Sequence, residues 1–241
     1  MESPGGPPSK WVKAVYEFHS FAYRDPRSAF SSAPGLPVVS PTTVLLGIVS
    51  TLFEIGEVDG AREFLNSIHT ARVVIDSPNG ALFFRAFHQL RRYETDKYDK
   101  LNPRLGLTNI NQGTREYALF DGPMTIFVGV APIHLEFVKI ALTNRDHLGT
   151  HDSLCALLGE VEECDEPTDV VYQAPEQSFP MEGTTIVSLS RFRDQALLPA
   201  TSHWWMSGPK DAEIVPYVIK GRFSGTSRGK IYRKERTESP E

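Results

Sequence analysis

The sequence predicts an α+β protein, and three stretches carry that prediction. In WVKAVYEF, residues 11–18, the alternate positions Val12, Ala14, Tyr16 and Phe18 are apolar, the period-two pattern of a half-buried strand. In PTTVLLGIVSTLF, residues 41–53, Val44, Leu45, Ile48, Val49, Leu52 and Phe53 recur at spacings of three and four, which makes one apolar helix face. HLEFVKIAL, residues 134–142, repeats that helical pattern with Leu135, Val138 and Leu142. Strand candidates alternate with these helices. Setting aside a long polar excursion, the order is strand, helix, strand, strand, helix, strand, the split βαβ order of a ferredoxin-like (RRM-like) domain.

Residues 1–10, MESPGGPPSK, are rich in Pro, Gly and Ser and read as a disordered tail. Ser40 suits an N-cap and Pro41 the first helical position, where its missing N–H costs nothing. Gly47 interrupts that helix at a cost of up to about 1 kcal/mol relative to alanine, which predicts close approach by a strand backbone. Gly56 supplies a stop. Asp59 is placed to cap a second, short helix with Ala61, Phe64, Leu65 and Ile68 on one side, ending near Thr70.

ARVVID, residues 71–76, is β-prone, and Ser77-Pro78-Asn79-Gly80 is dense in turn formers, so ALFFRAFHQL is expected to return beside it as a hairpin. Apolar periodicity then lapses from Arg91 to Thr114, longer than compact domains usually carry without purpose. This insertion holds Arg91, Arg92, Lys97, Lys100 and Arg104, with Tyr93 and Tyr98 interleaved. MTIFVGV, 124–130, is a strand, and NRDHLG after the second core helix is expected to form a short last strand ending at Gly149. Residues 11–150 therefore read as one domain.

Residues 151–232 read as a smaller β-rich C-terminal region, followed by a tail over 233–241. Its first part is acidic loop, and TTIVSLSRF is a clear strand. Pro216 in EIVPYVIKGRF limits that stretch to an edge or to two short strands. In and just before SGTSRGK, residues 224–230, glycines 221, 225 and 229 surround Arg222, Arg228 and Lys230. That stretch fails the nucleotide-hydrolysing loop pattern, because position 224 is Ser and no Ser or Thr follows Lys230. It either presents N–H groups and cations to a phosphate chain or is an ordinary turn.

Composition sets outer bounds. With 40% hydrophobic residues the 241-residue chain can bury a real core, and no run approaches a membrane span. Neither a signal-peptide pattern nor a metal-ligand spacing of Cys155 and Cys164 is present, so a cytoplasmic, metal-free and cofactor-free protein is expected. Net charge is −5, which excludes a protein that coats nucleic acid with its whole surface. The signs are segregated: residues 150–183 hold nine acidic and no basic side chains, whereas 220–241 hold seven basic and three acidic ones. Among seven histidines only His88, beside the basic insertion, is placed to act as a general base in metal-free RNA cleavage.

The loop FAYRDPRS with Tyr23, Arg24 and Arg27, the helix start SPTTVLLG, the insertion ending in REYALF and the stretch NRDHLGTHDSL follow one another over residues 11 to about 155. In order and spacing they resemble the Cas-five family, of the RAMP superfamily, found in type I CRISPR Cascade complexes. The resemblance implies a subunit that caps one end of the complex and holds the crRNA 5′ handle. It implies contacts with the backbone and large subunits, and with target DNA only through the complex. Residues 91–114 would be a β-hairpin thumb reaching over the guide, and Arg24, Arg27 and Arg115 would lie near the handle. One branch of the family cleaves repeat RNA with a Tyr, a Lys and a His, the last two adjacent. This chain has no Lys-His pair, which implies the non-catalytic branch and leaves metal-free endoribonuclease and pure scaffold as alternatives.

Overall fold

The computed structural model describes residues 10–23, 26, 34–92, 109–150, 152–167, 172–173, 182–193, 212–226 and 229–235. Its first sheet begins with β1 (Lys10–Phe18), and continues with β2 (Arg72–Asp76), β5 (Met124–Val130) and β6 (Cys155–Leu157) in the spatial order β2-β5-β1-β6. All neighbours are antiparallel. With α1 (Pro41–Glu54) between β1 and β2, and α3 (Leu135–Thr143) between β5 and β6, this is the split βαβ arrangement read from the sequence. A further short strand, β7 (Glu162–Cys164), pairs with the start of β1 beyond β6. Val12, Ala14, Tyr16 and Phe18 are all buried, and they share one core with Ile126, Val128, Ile48, Leu52, Val138 and Leu142. The Tyr16 hydroxyl donates to the Leu142 carbonyl at 2.6 Å, which ties the middle of the sheet to the end of α3.

The helices start where the sequence places them, but their details differ. Ser40 precedes α1, and its hydroxyl does not cap the helix. It accepts the Ser190 N–H at 2.8 Å instead, so the cap residue docks a distant strand. Gly47 makes room for a side chain, not for a strand backbone. The buried Arg145 guanidinium lies over it, and a Cβ there would stand 2.8 Å from the Arg145 Cζ. Arg145 Nη1 donates to the Gly47 carbonyl at 2.6 Å and to the Thr51 hydroxyl at 2.7 Å, and Nε donates to the His147 carbonyl at 2.5 Å. Asp59 lies in the first turn of α2 (Val58–Ser67) and not at its N-cap, which is Glu57. Gly56 has φ +87, as a helix stop requires.

The expected hairpin between residues 71–76 and 81–90 does not form. Ser77 is buried and hydrogen-bonds the Tyr232 hydroxyl at 2.8 Å, so the chain crosses at 77–80 into a second sheet instead of turning back. There β3 (Gly80–Arg92) and β4 (Asn109–Asp121) pair with each other along their full length. The sheet order is β11-β12-β3-β4, with β11 (Arg222–Thr226) and β12 (Gly229–Arg233) supplied from the far end of the chain. The excursion thus begins at Gly80, and its stem belongs to the core through Phe83 and Ala118. NRDHLG forms no strand beyond one bridge, His147 with Leu154, and the fourth strand of the first sheet is β6, inside the acidic stretch.

A third sheet of three strands has the order β8-β10-β9, from β8 (Tyr172–Gln173), β9 (Thr184–Phe192) and β10 (Ala212–Lys220). Pro216 neither splits β10 nor confines it to an edge. It pairs with Ser188 of β9, and the β8 ladder begins only at Tyr217, so the missing N–H falls outside that ladder. Residues 151–232 are thereby shared among all three sheets. No described helix is long and apolar enough to cross a membrane.

Two outcomes follow from this packing. At an ordinary helix site Gly→Ala stabilises by about 1 kcal/mol. Gly47→Ala should instead lower the unfolding free energy by roughly 2–3 kcal/mol, the scale of hydrogen bonds to a charged group, as read by urea denaturation. His134 is buried, with Nε2 at 2.6 Å from the Ser67 hydroxyl and no partner at Nδ1. Burial pulls its pKa below 6.5, against a smaller opposing pull from Glu63. The unfolded chain therefore takes up this proton first, and the stabilisation present above about pH 6.5 should be lost as pH falls. His134→Gln should flatten the decline in Tm on the acid side.

Candidate nucleic-acid interface

One end of the molecule gathers the loop after β1, the start of α1, the loop after α3 and the β3–β4 stem. Phe21 bridges to the outer edge of β4 through paired backbone hydrogen bonds with Ala118, at 3.0 and 2.7 Å. Its ring packs on Phe120 and Phe18, with centroids 4.7 and 5.1 Å away. These contacts hold the base of the 21–36 loop. The loop after α3 fixes it from the other side: the Ala22 N–H donates to the Ser153 hydroxyl at 2.9 Å, and Thr150 and Ser153 hydroxyls donate to the Ala22 carbonyl at 3.2 Å. Tyr23 reaches the Thr43 hydroxyl at 3.1 Å and lies against Gly149, whose φ is +91.

Arg115 sits on β4 beside this junction and forms an ion pair with Asp152. The Tyr117 hydroxyl donates to the same carboxylate at 3.2 Å. Burial, then the Asp152 charge, push the Tyr117 phenol above its ordinary pKa, so it stays protonated as a donor. The Tyr117 ring stacks on Phe84, with centroids 5.9 Å apart. Farther along the same face Leu82 and Leu119 stand opposite one another, both exposed, and with Ile231 they border an open concavity of about 730 Å³.

The opposite face of the stem carries Phe83, Arg85 and Phe87 on β3. Glu116 is the hub there: it accepts the Gly35 N–H at 2.6 Å and lies 3.7 Å from Lys230 and 3.9 Å from Arg85. Lys230 also donates to the Gly35 carbonyl at 2.8 Å and stands 4.5 Å above the rings of Phe83 and Phe223.

The structure thus brings Tyr23 and Arg115 to one junction, and Lys230 to the neighbouring face of the same stem. Arg222 lies elsewhere, on β11, paired with Glu235 at 3.2 Å and Glu182 at 3.6 Å. The described residues of the SGTSRGK stretch lie in two paired strands, with Gly225 opposite Lys230 and Gly229 opposite Thr226. The Gly221 N–H is taken by the Gly183 carbonyl. Arg91 and Arg92 occupy the far end of the described β3 ladder, opposite Ile110 and Asn109. Arg24, Arg27, Tyr93, Lys97, Lys100, Arg104 and Arg228 lie outside the described residues, as does the His88 side chain. Sequence reading passed over Arg85, Phe87, Glu116 and Asp152. The period-two alternation from Phe83 was the available signal for the first two, since it runs past the end of the core.

Among the described residues no group of three His, Cys, Asp or Glu side chains is placed to hold a metal ion. No family model matches the chain, and no curated protein matches it. Among solved structures, a CRISPR protein from Archaeoglobus fulgidus is 13% identical, with 94% of this chain and 92% of that one covered and a TM-score of 0.48. A chain of the Csm3-Csm4 subcomplex of the type III-A CRISPR-Cas interference complex is 8% identical, with 94% and 93% covered and a TM-score of 0.38.

Proposed function

We propose that this protein is a non-catalytic, crRNA-binding subunit of a CRISPR surveillance complex, capping it by holding the 5′ handle of the guide. The observation that supports this most is the β3–β4 hairpin, paired from Gly80 and Asp121 at its root to Arg92 and Asn109. Its root is set in the core through Phe83 and Ala118. The loop containing Arg24 and Arg27 is anchored beside it, at Phe21 and Gly35. An arm rooted in the core and a cationic loop with common footing suit an extended, single-stranded polyanion better than a small ligand. Arginine forks bond phosphate oxygens in pairs, and tyrosines offer stacking surfaces. Backbone and large subunits would meet the arm and the outer faces of the fold.

The deciding experiment mixes purified protein with CRISPR repeat RNA in the presence of chelator. Tight binding without cleavage is expected. Joint Arg91→Ala and Arg92→Ala replacement should weaken binding and reduce the log-log salt slope by about 1.4, at about 0.7 per single-strand phosphate contact. An unchanged slope removes both arginines from the interface. Specific cleavage that disappears in His88→Ala would make the protein a metal-free endoribonuclease instead, and neither binding nor cleavage would make it a scaffold.

A further inference from the structure

The face of the β3–β4 stem that carries Phe87 and Arg85 is not accounted for by the fold. We propose that it is a single-strand RNA contact in which Phe87 stacks on a base and Arg85 bonds the adjoining phosphate. This rests on the RNA-binding reading above and assigns residues to it. Phe83, Arg85 and Phe87 alternate onto one face of β3, and the face passes from core to solvent along the strand. Phe83 is buried, the Arg85 side chain is 71% exposed, and Phe87 is 66% exposed, the largest value among the described apolar side chains. The residue opposite Phe87 is Thr114, itself exposed, so no large side chain across the ladder covers the ring.

Charge on this face favours a polyanion. Glu116 is its one described carboxylate near Arg85, and its side chain is only 13% exposed, engaged by the Gly35 N–H and by Lys230. Arg85 meets it only through Nε at 3.9 Å. Two cations around one shielded carboxylate leave net positive charge beside an uncovered ring. Along a strand, residues two apart are separated by about 6.6 Å, close enough for one nucleotide to touch both, its base on the ring and its phosphate on the guanidinium.

A protein partner is the less fitting occupant. Among the described side chains the neighbours of Phe87 on its face are Arg85 and Thr114, so an apolar partner surface there would bury a guanidinium without a matching carboxylate. The contiguous apolar surface lies on the other side of the stem, at Leu82, Leu119 and Ile231.

The test measures binding of the full chain to a fluorescein-labelled, mixed-sequence single-stranded oligoribonucleotide across a salt series, with circular dichroism to verify folding. Phe87→Ala should weaken binding by roughly five- to a hundredfold, the range of one lost base–aromatic stack, with the salt slope unchanged. Phe87→Trp should restore it, and Phe87→Leu should not. Arg85→Gln should lower the slope by about 0.7. Wild-type affinity in Phe87→Ala, or full affinity in Phe87→Leu, would overturn the stacking role while leaving the RNA-binding reading in place. Loss of affinity only for a protein partner would reassign the face to a subunit contact, and a wild-type chain that binds no RNA would overturn both.

Discussion

The junction of the 21–36 loop, the start of α1, the loop after α3 and the β3–β4 stem depends on a buried cation. Arg145 is taken out of water with no carboxylate within ion-pairing distance among the described residues, and burial pulls its pKa below the ordinary value while Glu54 acts from farther off. An arginine does not discharge in a protein, so the charge must be solvated by dipoles. The Gly47 and His147 carbonyls and the Thr51 hydroxyl do this. The consequence is geometric. Those contacts fix where α1 lies relative to the loop after α3, and that loop holds Ala22, Tyr23 and Arg115 through Ser153, Gly149 and Asp152.

The hairpin plays two roles along its length. Near Gly80 and Asp121 its strands bury Phe83 and Ala118 and are core, whereas beyond Arg85 its face opens to solvent. Lys230 reinforces the root, lying over two aromatic rings and across from Glu116.

How far the sequence was legible follows from the range of each interaction. The core strands and α1 were plain because alternation and the three-four period are local patterns that burial enforces. Ser40 marked the helix start correctly, yet its bond to Ser190 joins residues far apart in the chain, and no local rule holds that information. Gly47 announced a close neighbour, but that neighbour is the Arg145 side chain and not the expected strand backbone. The turn formers at 77–80 suggested a hairpin because such residues signal a change of direction, not its destination. β6 was hidden by brevity, and β7 by brevity and charge: three residues each, held in place by β1 and not by their own propensity. At the candidate site, cations could be listed from the sequence but their partners could not. Asp152 and Glu116 decide how Arg115 and Lys230 are presented, and although both lie in stretches that carry the family resemblance, nothing local marks either as a partner of those cations.

The seating of β12 against β3 has a consequence for how the molecule comes to exist in a cell. Lys230 to Arg233 pair with Phe83 to Gly80, and Tyr232, fully buried, donates to the Lys220 carbonyl at 2.5 Å. β3 leaves the ribosome long before β12. The first sheet can assemble once β7 has emerged, but the sheet at the root of the arm stays two strands short until β11 and β12 follow. During that interval the β3 edge exposes unpaired backbone groups, an invitation to wrong pairing. Completion of the sheet at the root of the arm therefore waits on β12, and until that strand is seated the β3 edge is not closed.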